Sequence, residues 1–139
     1  MRQLLTFHLG AERYGLDIAR ILEIVEAPRR FYIPNAPRCY QGAINFHGSI
    51  LPVLDLGRLL DFEISDSDER VIVLDLDLGT LALAVSKLGG IVPISGGELL
   101  AGKPEDRERT CITQLFRFQD DMINLLDTGL LLGRLGADQ

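Results

Sequence analysis

CYQGAINFHGSILPVLDLGRLL, residues 39–60, lies without a gap over CITQLFRFQDDMINLLDTGLLL, residues 111–132. Identities fall at Cys39/Cys111, Phe46/Phe118, Leu54/Leu126, Asp55/Asp127, Gly57/Gly129, Leu59/Leu131 and Leu60/Leu132. In the first copy, YQGAINF and ILPVL flank a turn at His47-Gly48-Ser49, the pattern of a β-hairpin. Asp55 and Asp127 stand where a helix N-cap belongs, ahead of LGRLL and TGLLL.

The repetition extends upstream with a slightly different offset. Leu4, Leu5, Phe7 and Leu9 fall on Val71, Ile72, Leu74 and Leu76. Tyr14, Leu16 and Ile18 fall on Leu81, Leu83 and Val85, and Ile24-Val25 falls on Ile91-Val92. LLTFHL and RYGLDI alternate around Gly10-Ala11-Glu12 as a hairpin does, and VIVLDL and TLALAV do so around Asp77-Leu78-Gly79. Asp75 and Asp77 alternate with leucines and are expected to face solvent. Ile18, Ile21 and Val25 fit one helical face, with a return to strand by Glu23 as the other reading. On either reading, that apolar face is expected to be buried. One domain over 1–139 therefore divides into two related subdomains, 3–62 and 70–133, joined by the polar linker EISDSDE. About five short strands and a helical turn or two in each suit a small barrel, because closure removes exposed strand edges.

Composition narrows the function. Fourteen Lys and Arg against twenty Asp and Glu leave a formal charge of −6, which disfavours binding to a phosphate backbone. Arg29-Arg30 is too short to make a basic patch, so nucleic acid is not an expected partner. Cys39 and Cys111 form no CxxC and read as buried free thiols in a reducing compartment. No apolar run is long enough to span a bilayer, and the start, MRQLLTFHLGAER, lacks the apolar centre of a signal peptide. A cytoplasmic protein with no direct membrane insertion is expected.

Reactive chemistry has few candidates. His8 and His47 are the two histidines, and no HExxH, EF-hand loop or Cys/His cluster accompanies them, so no metal is expected. Gly89-Gly90 and Gly96-Gly97 open no helix and carry no following Lys-Ser/Thr, so they read as turns, with no phosphate-bound cofactor. His47 with Ser49 or Ser86, and Asp55 behind the ring, is the hydrolase alternative. It lacks a G-x-S-x-G elbow, and a turn histidine held by a neighbouring group is the simpler reading.

ERYGLDIARILEIVE, IPNAP, YQGAINFHGSILPVLDLGRLL, RVIVLDLDLGTLALAVSKL and MINLLD, in this order over nearly the whole chain, resemble the CheW-like domain of bacterial chemotaxis coupling proteins. The resemblance implies a mainly β fold of two five-stranded SH3-like barrels side by side with a few short helices. It implies a non-enzymatic adaptor without cofactors, recruited from the cytoplasm to receptor arrays. The implied partners are the cytoplasmic tip of a methyl-accepting chemoreceptor and the regulatory domain of a CheA-type histidine kinase. A small ligand- or peptide-binding barrel is the alternative, and would show a deep pocket.

The family carries Arg where this chain has His47, and that Arg resembles a partner for the acid matched by Glu23. An imidazole facing Glu23 is expected to make a weaker, pH-sensitive tie. The implied contact residues are Glu23, Asn45, His47 and Gly48, with Val85 and Leu88 as candidates for a groove between the barrels. For Asn45 the competing role is to cap its own hairpin, and for Gly48 to permit positive φ. Two further departures are Ser86 in place of an acid in Val85-Ser86-Lys87-Leu88, and Gln114 in place of a glycine.

Overall fold

Short apolar strands joined by tight turns run through the computed structural model, which describes residues 2–64, 66–76 and 79–137. Strands β1 (Gln3–Leu9) and β2 (Glu12–Asp17) form the first hairpin, with Gly10 at φ +61° in its turn. Asp17 accepts the Ala19 N–H at 3.0 Å and caps one 3₁₀ turn, Ile18–Arg20. Strand β3 (Ile21–Val25) follows at once. The helical reading of this segment thus holds for a single turn, and it is strand at Glu23. Ile18 and Ile21 pack on one core cluster and Val25 on another, each partly buried.

The second hairpin, β4 (Tyr40–Phe46) and β5 (Ser49–Asp55), runs into the short helix α1 (Leu56–Leu59). The other half repeats the order with β6 (Val71–Leu76), β7 (Gly79–Ala84) and β8 (Lys87–Pro93). Asp75 is exposed as expected, while Asp77 and Leu78, the rest of that expected turn, lie outside the described residues. After β9 (Glu98–Ala101) and α2 (Arg107–Thr110) come β10 (Ile112–Phe118), β11 (Asp121–Leu126) and α3 (Thr128–Ala137).

The strands form a six-stranded sheet, β8-β1-β2-β11-β10-β9, and a five-stranded sheet, β3-β6-β7-β5-β4. Matching β1–β5 to β6, β7, β8, β10 and β11 turns one order into the other, with β9 added at one edge. Each half therefore lends its first hairpin to the sheet built by the other half's second hairpin. Parallel contacts β2·β11 and β5·β7 seal the exchange. The subdomain limits 3–62 and 70–133 delimit the repeat and do not divide the sheets. The exchanged strands are buried on both faces, and a sheet centre is where such strands belong. The predicted class, mainly β with two sheets side by side and a few short helices, is what forms, with a sixth strand in one sheet.

Alternation along these strands builds three cores. Val71, Val73, Ala82 and Ala84 pack inside the five-stranded sheet with Ile44, Leu51 and Val53. Leu4, Val92, Phe116, Ile123 and Leu125 fill the six-stranded one. The opposite faces, including Phe7, Leu16, Ile72 and Leu83, meet between the sheets with Leu56 and Leu131 of α1 and α3. Each Val, Leu, Ile or Phe among them contributes about 1.5–3 kcal/mol on burial.

One glycine is required by a close contact and not by a turn. Gly89-Gly90, expected as a turn, lies within β8, where both residues oppose Thr6 of β1 in a bulge. A Cβ on Gly89 would meet Thr6 Oγ1 at 2.6 Å, and that hydroxyl donates to Gly90 O at 2.8 Å. Gly96-Gly97 does lie at a turn, beside the 3₁₀ turn Ile94–Gly96.

Candidate functional site

The conserved-looking cap of each repeat has a physical explanation. Asp55 accepts from Arg58 N at 3.0 Å through one oxygen and from Gln41 Nε2 at 2.9 Å through the other. Asp127 accepts from Leu130 N at 3.0 Å and from the Thr113 hydroxyl at 3.4 Å. Gln41 and Thr113 are the extra residues of matching bulges in β4 and β10. Asp55 N and Asp127 N donate to Cys39 O and Cys111 O at 2.6 and 2.8 Å. The side-chain bonds explain why Asp recurs in both copies, and they commit Asp55 to structure.

At the far tip of the β4–β5 hairpin, His47 at φ 50° and Gly48 at φ 89° make the two-residue turn that suits the twist of antiparallel strands. Asn45 Oδ1 accepts the Gly48 N–H at 3.0 Å, so Asn45 caps its own turn. Nothing lies within 4 Å of a Cβ built on Gly48. The His47 ring sits edge-on to Phe46, centroids 4.4 Å apart, and its Nε2 lies 3.1 Å from Glu23 Oε1. β3 and β4 are opposite edges of the five-stranded sheet, so this bond shows the sheet curling until one edge strand meets the hairpin of the other. Glu23, Asn45, His47 and Gly48 are thus brought together on open surface. His47 is 72% exposed, and Glu23 holds its ring, with Asp55 engaged elsewhere.

Val85 and Leu88 are placed otherwise. At 3% and 6% exposure they belong to the core between the sheets and present no groove surface. Val85 lies just past the end of β7, and Leu88 lies on β8 opposite Phe7 of β1. The segment between them is clamped by the linker. Asp68 N donates to Val85 O at 2.9 Å, and Leu88 N donates to Asp68 Oδ2 at 2.8 Å. The Arg70 guanidinium grips the same carboxylate through Nε and Nη2, both at 3.0 Å. Arg70, with the N–H groups of Leu88 and Arg70, holds the Asp68 carboxyl well below the usual carboxylate range. Ser86, where the acid was expected, accepts from Gly10 N at 3.0 Å.

Among the described residues, packed apolar side chains occupy the interiors of both sheets. Cys39 and Cys111 are buried and form no disulfide, and burial pushes the Cys111 thiol up to about 11. His8 is half-buried. Among the described residues no group of His, Cys, Asp and Glu is arranged to hold a metal ion, and no helix is long and apolar enough to cross a membrane.

Sequence reasoning missed the exposed aliphatic side chains. Ile24 on β3 and Ile50 on β5 are exposed, at 37% and 67%. Their repeat mates Ile91 and Met122, on β8 and β11, are exposed too, at 56% and 39%. The repeat already paired Ile24 with Ile91, and that was the signal available. Corresponding positions on the two sheets carry the same kind of exposed side chain.

A family model, the CheW-like domain, matches residues 3–135. The chain belongs to the CheW-like domain family. It is 29% identical over 99 residues to the chemotaxis protein CheW of Treponema pallidum, a stretch covering 67% of this chain and 58% of that one. It is 26% identical over 142 residues to a probable chemotaxis protein CheW of Rhizobium etli, covering 99% and 91%. The crystal structure of the scaffolding protein TtCheW from Thermoanaerobacter tengcongensis superposes with a TM-score of 0.79 at 26% identity, covering 89% of this chain and 87% of that one. Family and fold are thus shared with these relatives, and the chain spans about 58% of the length of the Treponema pallidum one.

Proposed function

We propose that this CheW-like chain is a non-enzymatic adaptor that couples the cytoplasmic tip of a chemoreceptor to the regulatory domain of a CheA-type histidine kinase. It acts in the cytoplasm and is recruited to receptor arrays. The observation that carries the reading is exposed apolar side chains at repeat-related positions on both sheets, Ile24 matched by Ile91 and Ile50 by Met122. Single exposed aliphatic residues are ordinary on any surface, but the same pair recurring on both sheets gives one small chain two places to hold partners. Each face is small, so a few apolar anchors and many assembled copies supply the affinity. The Glu23–His47 bond stiffens the first face by tying the edge strand to the hairpin beneath it.

The test is a pull-down with a purified CheA regulatory domain and, separately, a receptor-tip fragment. Wild type should retain each, and Ile50→Glu and Ile91→Glu should each weaken a different one. Retention of neither by the folded wild type would refute the coupling role.

A further inference from the structure

An arginine-rich cleft that no motif announced lies on the loop between β3 and β4. It measures about 650 Å³, and Arg30, Arg38 and Arg58 line it with Tyr32, Ile33 and Pro37. No acidic residue lines it, in a chain whose formal charge is −6. The three guanidinia are far apart in sequence, and the fold collects them.

We propose that this cleft docks an acidic peptide segment of a partner protein. The cations have capacity to spare. Arg38 is exposed, and among the described residues its guanidinium has no hydrogen-bond or ion-pair partner. Arg30 spends Nε on Gln41 at 3.1 Å and Nη1 on Pro28 O at 3.4 Å, leaving Nη2. Arg58 donates through Nη1 to Arg38 O at 3.3 Å, and its Nε lies 3.5 Å from Asp55, again leaving Nη2. Asp55 offsets part of the Arg58 charge, but its oxygens also accept from Arg58 N and Gln41. Guanidinium forks suit carboxylates, because two parallel N–H bonds match the two oxygens.

The cleft is also built in advance. Phe31 N donates to Ala43 O at 2.7 Å, and Ala43 N returns a bond to Phe31 O at 2.8 Å, pinning the loop to β4. Gly42, at φ +132°, permits the approach, since a Cβ there would meet Phe31 O at 2.5 Å. Arg29 stacks over the Phe31 ring at 5.2 Å along the same loop. A pinned loop loses little freedom on binding. The volume exceeds that of one small anion several-fold, and Ile33, Pro37 and the 85%-exposed Tyr32 add carbon surface. Charge with interleaved apolar surface fits a peptide that alternates acidic and aliphatic side chains.

The test uses a fluorescein-labelled peptide, Glu-Leu-Asp-Glu-Leu-Asp, titrated with the full chain and followed by anisotropy. Binding should weaken with salt, fall about five-fold in Arg38→Ala, and recover in part in Arg38→Lys. Arg38→Ala and Arg58→Ala combined should lower it further, with circular dichroism showing the fold retained. The amide peptide Gln-Leu-Asn-Gln-Leu-Asn should not bind. Equal binding of that peptide, insensitivity to both arginines, or absence of binding would overturn the proposal. So would displacement by inorganic phosphate or by oligothymidylate at matched concentration, which would identify a small-anion or nucleic-acid site. The outcome is separable from the adaptor reading: neither kinase nor receptor is in the assay, and Ile91→Glu should leave peptide binding unchanged.

Discussion

His47 carries two separable roles in one side chain. Its backbone occupies the left-handed region at φ 50°, and its ring bonds an exposed glutamate at 3.1 Å. The bond lies on the surface, where such pairs contribute about 0–1 kcal/mol, while left-handed geometry costs a non-glycine residue roughly 1–2 kcal/mol. His47→Gly, which loses the bond and relieves the backbone, should therefore stay within about 1 kcal/mol of wild type. His47→Val, which loses the bond and adds a branched Cβ, should lose about 2 kcal/mol. Urea denaturation distinguishes the two, and equal losses would show that the backbone argument is wrong. Asp68 is the deeper anchor, with its side chain 10% exposed and four donors around it. Asp68→Ala should cost about 2 kcal/mol at pH 7. Because folding lowers the Asp68 pKa, its contribution is complete above the ordinary carboxylate range and declines as pH falls below it. The gap between wild type and Asp68→Ala should hold from about pH 7 to 5 and narrow below about pH 4. A gap that widened on acidification would contradict the sign.

At the scale of the element, bulges and caps are what the repeat encodes. Gly89 and Gly90 are chemically alike and sequence-adjacent, yet only Gly89 is crowded. A Cβ there meets Thr6 Oγ1 at 2.6 Å, while one on Gly90 meets nothing within 4 Å. Thr6 is fully buried and cannot yield easily. Gly89→Ala should lose about 1–3 kcal/mol, and Gly90→Ala should be close to neutral, in the same unfolding assay. Nothing in the string GGIVP distinguishes these two glycines, because the distinction comes from a register against β1. The β1–β2 and β4–β5 hairpins with their turns, and the Asp55 and Asp127 caps, were legible, since each rests on local periodicity or local hydrogen bonding. The exchange of β1–β2 and β6–β7 between sheets was not. A hairpin apolar on both faces states that it is central, but not in which sheet. Val85 and Leu88 were misplaced for a related reason, since a buried aliphatic residue and a groove-lining one have the same sequence signature. The tie of Glu23 to His47 was readable only through the family resemblance, and the Arg30, Arg38 and Arg58 cleft had no local signal.

The whole molecule is a repeat folded through itself. With the first hairpins exchanged, neither half can keep its sheet without the other, and the large core between the sheets joins both. A rigid unit of this kind holds the exposed side chains of its two sheets at a fixed separation, which the proposed coupling role requires and a pair of tethered barrels would not supply. The claim at the centre is that both faces are occupied at once. Analytical ultracentrifugation of this chain with a CheA regulatory domain and a receptor-tip fragment tests it directly. One species containing all three components, reduced to binary complexes by Ile50→Glu or by Ile91→Glu, is the predicted result. Mutually exclusive binding of kinase and receptor, with each displacing the other from wild type, would contradict it.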